Sequence, residues 1–246
     1  LVLLIGAVLL IQSFNRMQSI DPGIDAEKLL TVEVTMNGAA YQDRGQRITF
    51  LERLIDEMKA TPGVENVSAV SVLPSRKGWP YPYTRADKPR PLPNEQPRAG
   101  LRSVMPDHHE TYGIGILRGR GFKKSDNWTS ERVMMVNKAF ADSAFKDEEV
   151  IGKYLQYYGK NWRIIGVFDN HKNNGLTREP DVEVNMPYAQ WPGTDAISVH
   201  LTVRAESDPL ILAPVVTEKV RKLNPDQPLS RFVVMQQYLD ASIAID

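Results

Sequence analysis

The 246-residue chain contains no cysteine. That excludes disulfides, thiolate metal sites and cysteine nucleophiles. It has no net charge either, since 30 Lys and Arg balance 30 Asp and Glu. Nucleic-acid binders show a basic excess or stripe, so that class is disfavoured, and no block of like charge suggests an acidic or basic tail. Phosphate-cradling loops are missing too. In "GIGILRGRG", Gly113 and Gly115 match the first two glycines of a G-x-G-x-x-G loop, but Arg118 stands where the third belongs, so turn glycines are expected. Gly152-Lys153 and Gly159-Lys160 are followed by Tyr154 and Asn161 rather than Ser or Thr, which leaves no loop for ATP. The serines lack a G-x-S-x-G elbow. Beyond residues 1–11 no stretch approaches the length of a membrane span.

What is present is a composition able to build a core, 42% apolar and 24% charged. The chain opens with "LVLLIGAVLLIQSFNRMQSIDPG". Nothing basic precedes the apolar run, so it does not read as a signal peptide. A helix apolar on every side belongs in a large core or in lipid. Eleven helical residues reach roughly 16 Å, against a hydrocarbon core of about 30 Å. Residues 1–19 are therefore read as the end of a membrane helix that starts upstream, with Phe14, Arg16 and Met17 at its interfacial end.

After the Asp21-Pro22-Gly23 turn, Leu30, Val32, Val34 and Met36 alternate with polar residues as in a half-buried strand. Ile48, Leu51, Leu54, Ile55 and Met58 then follow helical spacing up to Thr61-Pro62-Gly63, and "VENVSAVSVLP" reads as a second strand. The same order returns late. Val199, Leu201 and Val203 alternate with His200, Thr202 and Arg204; Asp208-Pro209 starts a helix with Leu212, Val215, Val216, Val220 and Leu223 on one stripe; "SRFVVM" is a short last strand. The expected class is α+β, with two strand–helix–strand units closing as a split ferredoxin-like subdomain.

Between the units, seven prolines from Pro74 to Pro97 predict a long surface connection. "RVMMVNKAFADSAF" follows as a strand entering a helix, then a hairpin around Gly159-Lys160-Asn161 and a strand in "DVEVNMPYAQ". This is a second, strand-rich subdomain. A helix starts at about Gln236.

Candidate chemistry is sparse. Asp107-His108-His109-Glu110 is the densest cluster, but adjacent side chains point apart, so the four cannot share one metal. His108, His109, His171 and His200 are expected at the surface. Asp126, Asp142 and Asp169 are expected as solvated carboxylates. Asn127-Trp128-Thr129 has the form of a glycosylation acceptor. Trp79, Tyr81 and Tyr83 either dock a partner or fold back over their own domain. No catalytic, cofactor-binding or metal residues are assigned; a hydrolase using Asp107 and His108 is the rival, and its roles do not close geometrically.

Several stretches, in order, carry a family resemblance: "LVLLIGAVLLIQSFNRMQSIDPGIDAEKLLTVEV", "SVMPDHHETYGIGILRGRGFKKSD", "VNKAFADSAF", "IGKYL", "IIGVFDNHKNNGL", "EVNMPYAQ", and "NPDQPL" before "MQQYLDASI". The chain resembles the extracytoplasmic core of MacB/FtsX-type ABC transporter permeases, and more narrowly the acidobacterial duplicated orphan permeases. It departs from the pattern at Met105, at His108-His109 where an aromatic pair is usual, and at Gly115.

The resemblance implies a porter-type subdomain from residues 20–75 and 196–235, an inserted sabre-type subdomain over 76–195, and a helix from 236–246 leading back to the membrane. It implies a place in the bacterial inner membrane with residues 20–235 outside the cytoplasm. It further implies no enzyme activity or cofactor of its own. The implied partners are a cytoplasmic ABC ATPase subunit, a second permease half or a homodimer partner, and lipid around residues 1–14, with no nucleic acid. Motion would pass through Phe14–Gly23 and Gln236–Asp246. A membrane-tethered binding or scaffold domain without transport is the alternative.

Overall fold

The computed structural model describes residues 21–146, 148–173, 178–193 and 197–243. The expected membrane-helix end at 1–19 lies outside them. In chain order the strands are β1 Leu29–Thr35, β2 Val64–Val70, β3 Trp79–Pro82, β4 Thr84–Arg85, β5 Arg98–Val104, β6 Ile116–Gly119, β7 Val133–Asn137, β8 Tyr154–Tyr157, β9 Lys160–Phe168, β10 Glu183–Pro187, β11 Ser198–Ala205 and β12 Val233–Val234. The α-helices are α1 Arg44–Lys59, α2 His108–Tyr112, α3 Lys138–Ala144, α4 Ala213–Leu223 and α5 Met235–Ile243. All strands join one mixed sheet, ordered β12-β1-β11-β2-β5-β10-β7-β9-β8-β4, with β3 on β5 and β6 on β9.

Local chemistry accounts for the elements. Asp43 and Gln46 form a reciprocal capping box at the start of α1. Phe50, Leu51, Leu54, Ile55 and Met58 are buried along that helix. Asp208 accepts a hydrogen bond from the Leu210 amide and sets the turn that leads into α4, where Val216 and Val220 are buried. The β8–β9 hairpin turns through Tyr158 and Gly159, both at positive φ (49° and 67°), the backbone of a two-residue type I′ turn.

β1 pairs antiparallel with β11 from Leu29 opposite Arg204 to Thr35 opposite Ser198, while β12 and β2 flank that pair, also antiparallel. β2 meets β5 at Val70 and Val104, where the first half of the sheet joins the second. The proline-rich segment corrects the expectation of a plain connection. Trp79–Pro82 is an edge strand along β5, and Thr84–Arg85 pairs with β8. Proline lacks a ladder donor, so Pro80 and Pro82 fit only such an edge.

Alternation along the strands divides the apolar residues into two layers. Val32 and Val34 of β1, Val67 and Ala69 of β2, Met134 and Val136 of β7, and Val199, Leu201 and Val203 of β11 share one core with Phe50, Leu54, Val216 and Val220. Leu29, Val70, Val104, Met135 and Phe168 share the second with Ile24, Ala26, Tyr112, Met235 and Leu239.

Candidate functional site at the entry strap and the last helix

Residues 21–28 form a strap stitched to three parts of the fold. Asp21 Oδ1 accepts from the Gly23 amide at 2.8 Å, and the Lys172 amide donates to the Pro22 carbonyl at 2.8 Å. Gly23 sits at φ +70°, and a Cβ there would lie 2.8 Å from the Asn170 carbonyl oxygen, so only glycine fits without displacement. The Asp25 amide donates to Tyr112 O at 2.9 Å. Arg204 reaches across from β11, donating to Asp25 Oδ2 at 2.6 Å, Asp25 O at 2.8 Å and Thr111 O at 2.8 Å. Ile24 and Ala26 are buried in the second apolar layer. Met235 and Leu239 of α5 are buried in the same layer, with Tyr238 packed against it. The strap and the last helix therefore grip one shared layer.

That layer surrounds a buried polar cluster. Arg102, on β5, is fully buried and uses all its donor groups. Nε donates to Glu183 Oε1 on β10 at 2.9 Å, Nη1 to Val72 O and Leu73 O, and Nη2 to Pro74 O and Arg76 O. One guanidinium thus holds the segment by which the chain leaves the first half of the sheet. Asn173 Nδ2 donates to the other Glu183 oxygen at 2.7 Å, and His171 Nε2 lies 3.5 Å from it. Asn137 caps α3 and accepts from the Glu183 amide at 2.9 Å.

The expectation of surface histidines is overturned. His108, His109 and His171 are 1–3% exposed, and His200 is half-buried. α2 lays His108 beside Tyr112, with ring centroids 4.8 Å apart, and His109 beside Phe168, also at 4.8 Å. Burial holds all three imidazoles below their ordinary range, with His109 lowered to about 3. They are neutral at ordinary pH, and His109 Nε2 lies 3.3 Å from Asn185 Nδ2. Strand alternation marks which face of a strand is apolar; here the polar face of β11 is also covered, because Tyr112 OH meets Thr202 Oγ1 at 2.7 Å beneath α2.

The remaining candidates separate. Asp107 is ion-paired with Lys59, and with His108 enclosed the two do not form an accessible acid–base pair. Among the described residues no three His, Asp or Glu side chains converge as a metal would need. Asp126 is buried and held by Arg120 at 2.7 Å and 2.9 Å, which corrects its reading as a solvated group. Asp142 is exposed and pairs with Lys138; Asp169 is exposed. Asn127 accepts from the Thr129 amide and hydroxyl in a surface turn. Gly113 ends α2 at φ +71°, a turn glycine as expected. Tyr83 is buried against Phe140, whereas Tyr81 stacks on Tyr158 at 4.1 Å and Trp79 lies 5.4 Å from Trp191. The aromatics fold back over their own domain.

Arg102, Glu183, Arg204 and Asp25 were not singled out from sequence. Their partners lie 81 and 179 residues away. The available signal was an arginine inside each of two otherwise apolar or small strand runs, "AGLRSVM" and "LTVRA".

Comparison with known proteins accounts for this architecture. The model of the MacB-like periplasmic core domain matches residues 1–213. The chain belongs to that family. The periplasmic region of MacB from Actinobacillus actinomycetemcomitans shares the fold at a TM-score of 0.59 and 15% identity, covering 92% of this chain and 97% of that one. The extracellular domain of the noncanonic ABC-type transporter YknZ from Gram-positive bacteria follows at a TM-score of 0.51 and 17% identity, over 83% and 99% of the two chains. An uncharacterized ABC transporter permease, YvrN of Bacillus subtilis (strain 168), is 24% identical over 108 residues. That match spans 43% of this chain and 26% of the relative. The protein is thus a MacB-like periplasmic core domain, the kind of domain found in ABC transporter permeases. Among its described residues no helix is long and apolar enough to cross a membrane.

Proposed function

We propose that this domain couples movement of membrane helices to export or to binding of an envelope partner, and that residues 21–28 and 235–243 are its mechanical inputs. The observation that carries the reading is the shared apolar layer into which the strap and α5 both pack. Two inputs anchored in one layer move the sheet together, whereas loose linkers would absorb the motion. Work is done only if the two positions bind cargo or partner differently. Residues 1–19 serve in this reading as the end of a membrane helix in contact with lipid, and residues 20–235 lie outside the cytoplasm. A cytoplasmic ABC ATPase supplies the energy, and a second permease half or a second copy completes the unit, as in the acidobacterial duplicated permeases.

The sheet order β12-β1-β11-β2, with α1 following β1 and α4 following β11, supports the split ferredoxin-like, porter-type assignment over residues 20–75 and 196–235. The strands of residues 76–195 form the sabre-type insert.

Loosening the strap tests the coupling. Gly23→Ala and Arg204→Met, each placed in the intact permease, are expected to cut ATP-dependent export several-fold while circular dichroism shows the sheet retained. Export at wild-type rates in both variants would reject transmission through the strap.

A further inference from the structure

A groove of about 550 Å³ opens at one end of the helical layer, walled by Tyr41, Phe50, Arg53 and Leu223, with Gln46 and Thr49 on its rim. Its size falls within the range of small-molecule sites, about 300–1,000 Å³. The floor is pre-formed. Tyr41 meets Phe50 edge-on with centroids 5.2 Å apart, Asn224 Nδ2 donates to Tyr41 OH at 2.9 Å, and Arg47 Nη1 donates to Tyr41 O at 2.9 Å. Both rings are packed against the core, which fixes the floor without an ordering cost; the apolar surface left open is their outer edges together with half-buried Leu223.

The charge of the walls is one-sided. Among the described residues no carboxylate lines the groove, and Arg53 is the one charged residue that does. The acidic groups one turn further along α1 are engaged elsewhere, Asp56 by Lys124 and Glu57 by Lys219 and Lys222. Among the described residues Arg53 has no ion-pair partner. A guanidinium over an apolar floor selects a molecule with an apolar body and one oxyanion.

We propose that this groove binds small amphipathic anions, with an aromatic or aliphatic body on Tyr41, Phe50 and Leu223 and one carboxylate, sulfonate or phosphate on Arg53. The site stands independently of the coupling proposed above, because none of its lining residues belongs to the strap or to α5 and binding needs no ATPase.

The test uses the whole chain in lipid nanodiscs, titrated calorimetrically with 1-naphthalenesulfonate and with its uncharged counterpart 1-naphthalenesulfonamide, empty discs being subtracted. The expected result is one saturable site that prefers the sulfonate at least tenfold. Arg53→Gln should remove that preference while leaving sulfonamide binding in place. Thr49→Trp, at an exposed position that overhangs the groove, should abolish both. No saturable binding, or a preference that survives Arg53→Gln, overturns the proposal. A Thr49→Trp variant that splits a dimer in a sizing experiment, with no probe bound by the wild type, makes the face an interface between copies and likewise overturns it.

Discussion

Replacing Arg102 with methionine should be among the most damaging single substitutions in this domain. The side chain is fully buried and neutralises Glu183, itself 1% exposed, while donating to four backbone carbonyls of the 72–76 segment. Methionine fills much of the volume but leaves a buried carboxylate without its counter-ion. Breaking a buried pair in this way costs about 3–5 kcal/mol. Whole domains hold only about 5–15 kcal/mol, and at this chain length the loss corresponds to a melting point lower by roughly 6–20 °C. Urea unfolding followed by tryptophan fluorescence reads it, since Trp162 is fully buried. The decisive comparison is the double variant Arg102→Met with Glu183→Gln. With the orphan charge gone, it should recover about 2 kcal/mol of the loss. A single variant that loses less than about 1 kcal/mol, or a double variant whose loss is the sum of its parts, refutes the assignment of Arg102 as the counter-ion that fixes the crossover.

Three further outcomes are expected. His109, lowered to about 3 in the fold against an ordinary value of 6.5, takes up its proton in the unfolded chain first. Its contribution is therefore intact above about pH 6.5 and is lost as pH falls toward 3, roughly 2 kcal/mol by pH 5; a His109→Phe variant should show a flatter acid limb in denaturant titrations. Gly23→Ala should lower the global melting point by roughly 2–12 °C, because a strap held as firmly as the sheet passes its strain of roughly 1–3 kcal/mol to the whole fold. The same variant should speed exchange of the Lys172 amide, which donates to Pro22 O. Asp43→Ala removes the side-chain acceptor of the Gln46 amide, leaves the Asp43 amide free to donate to Gln46 Oε1, and should cost about 1 kcal/mol in thermal melts, with Asp43→Ser restoring most of it.

Much of the fold was legible because its signals are local. The alternation of Leu30, Val32 and Val34, the stripe of Leu51, Leu54 and Met58, and the turn at Thr61-Pro62-Gly63 each correspond to an observed strand, helix or stop. The failures share one cause. Alternation reports that one strand face is apolar and says nothing of what covers the other. Thr202 and Arg204 read as a solvent face until α2, the strap and Tyr112 are laid over them. His108 and His109 read as polar for the same reason, since no neighbour in sequence announces Phe168 or Asn185. Proline density ruled out a central strand correctly, yet an edge strand tolerates Pro80 and Pro82. The Arg102–Glu183 pair joins parallel strands far apart in sequence, and its only local trace is a charged residue at a core position.

If the strap and the last helix pass motion to the domain, they must be held as firmly as the sheet they grip. Native-state hydrogen exchange on the full chain measures this directly, with the Asp25 and Lys172 amides reporting the strap, Leu239 reporting α5, and Val32 and Leu201 reporting the sheet. Protection of the strap and α5 within about 1–2 kcal/mol of the sheet is the expected result. Exchange of Asp25 and Lys172 near the rate of an open chain, with Val32 still protected, would contradict it, because a frayed strap passes no motion to the domain.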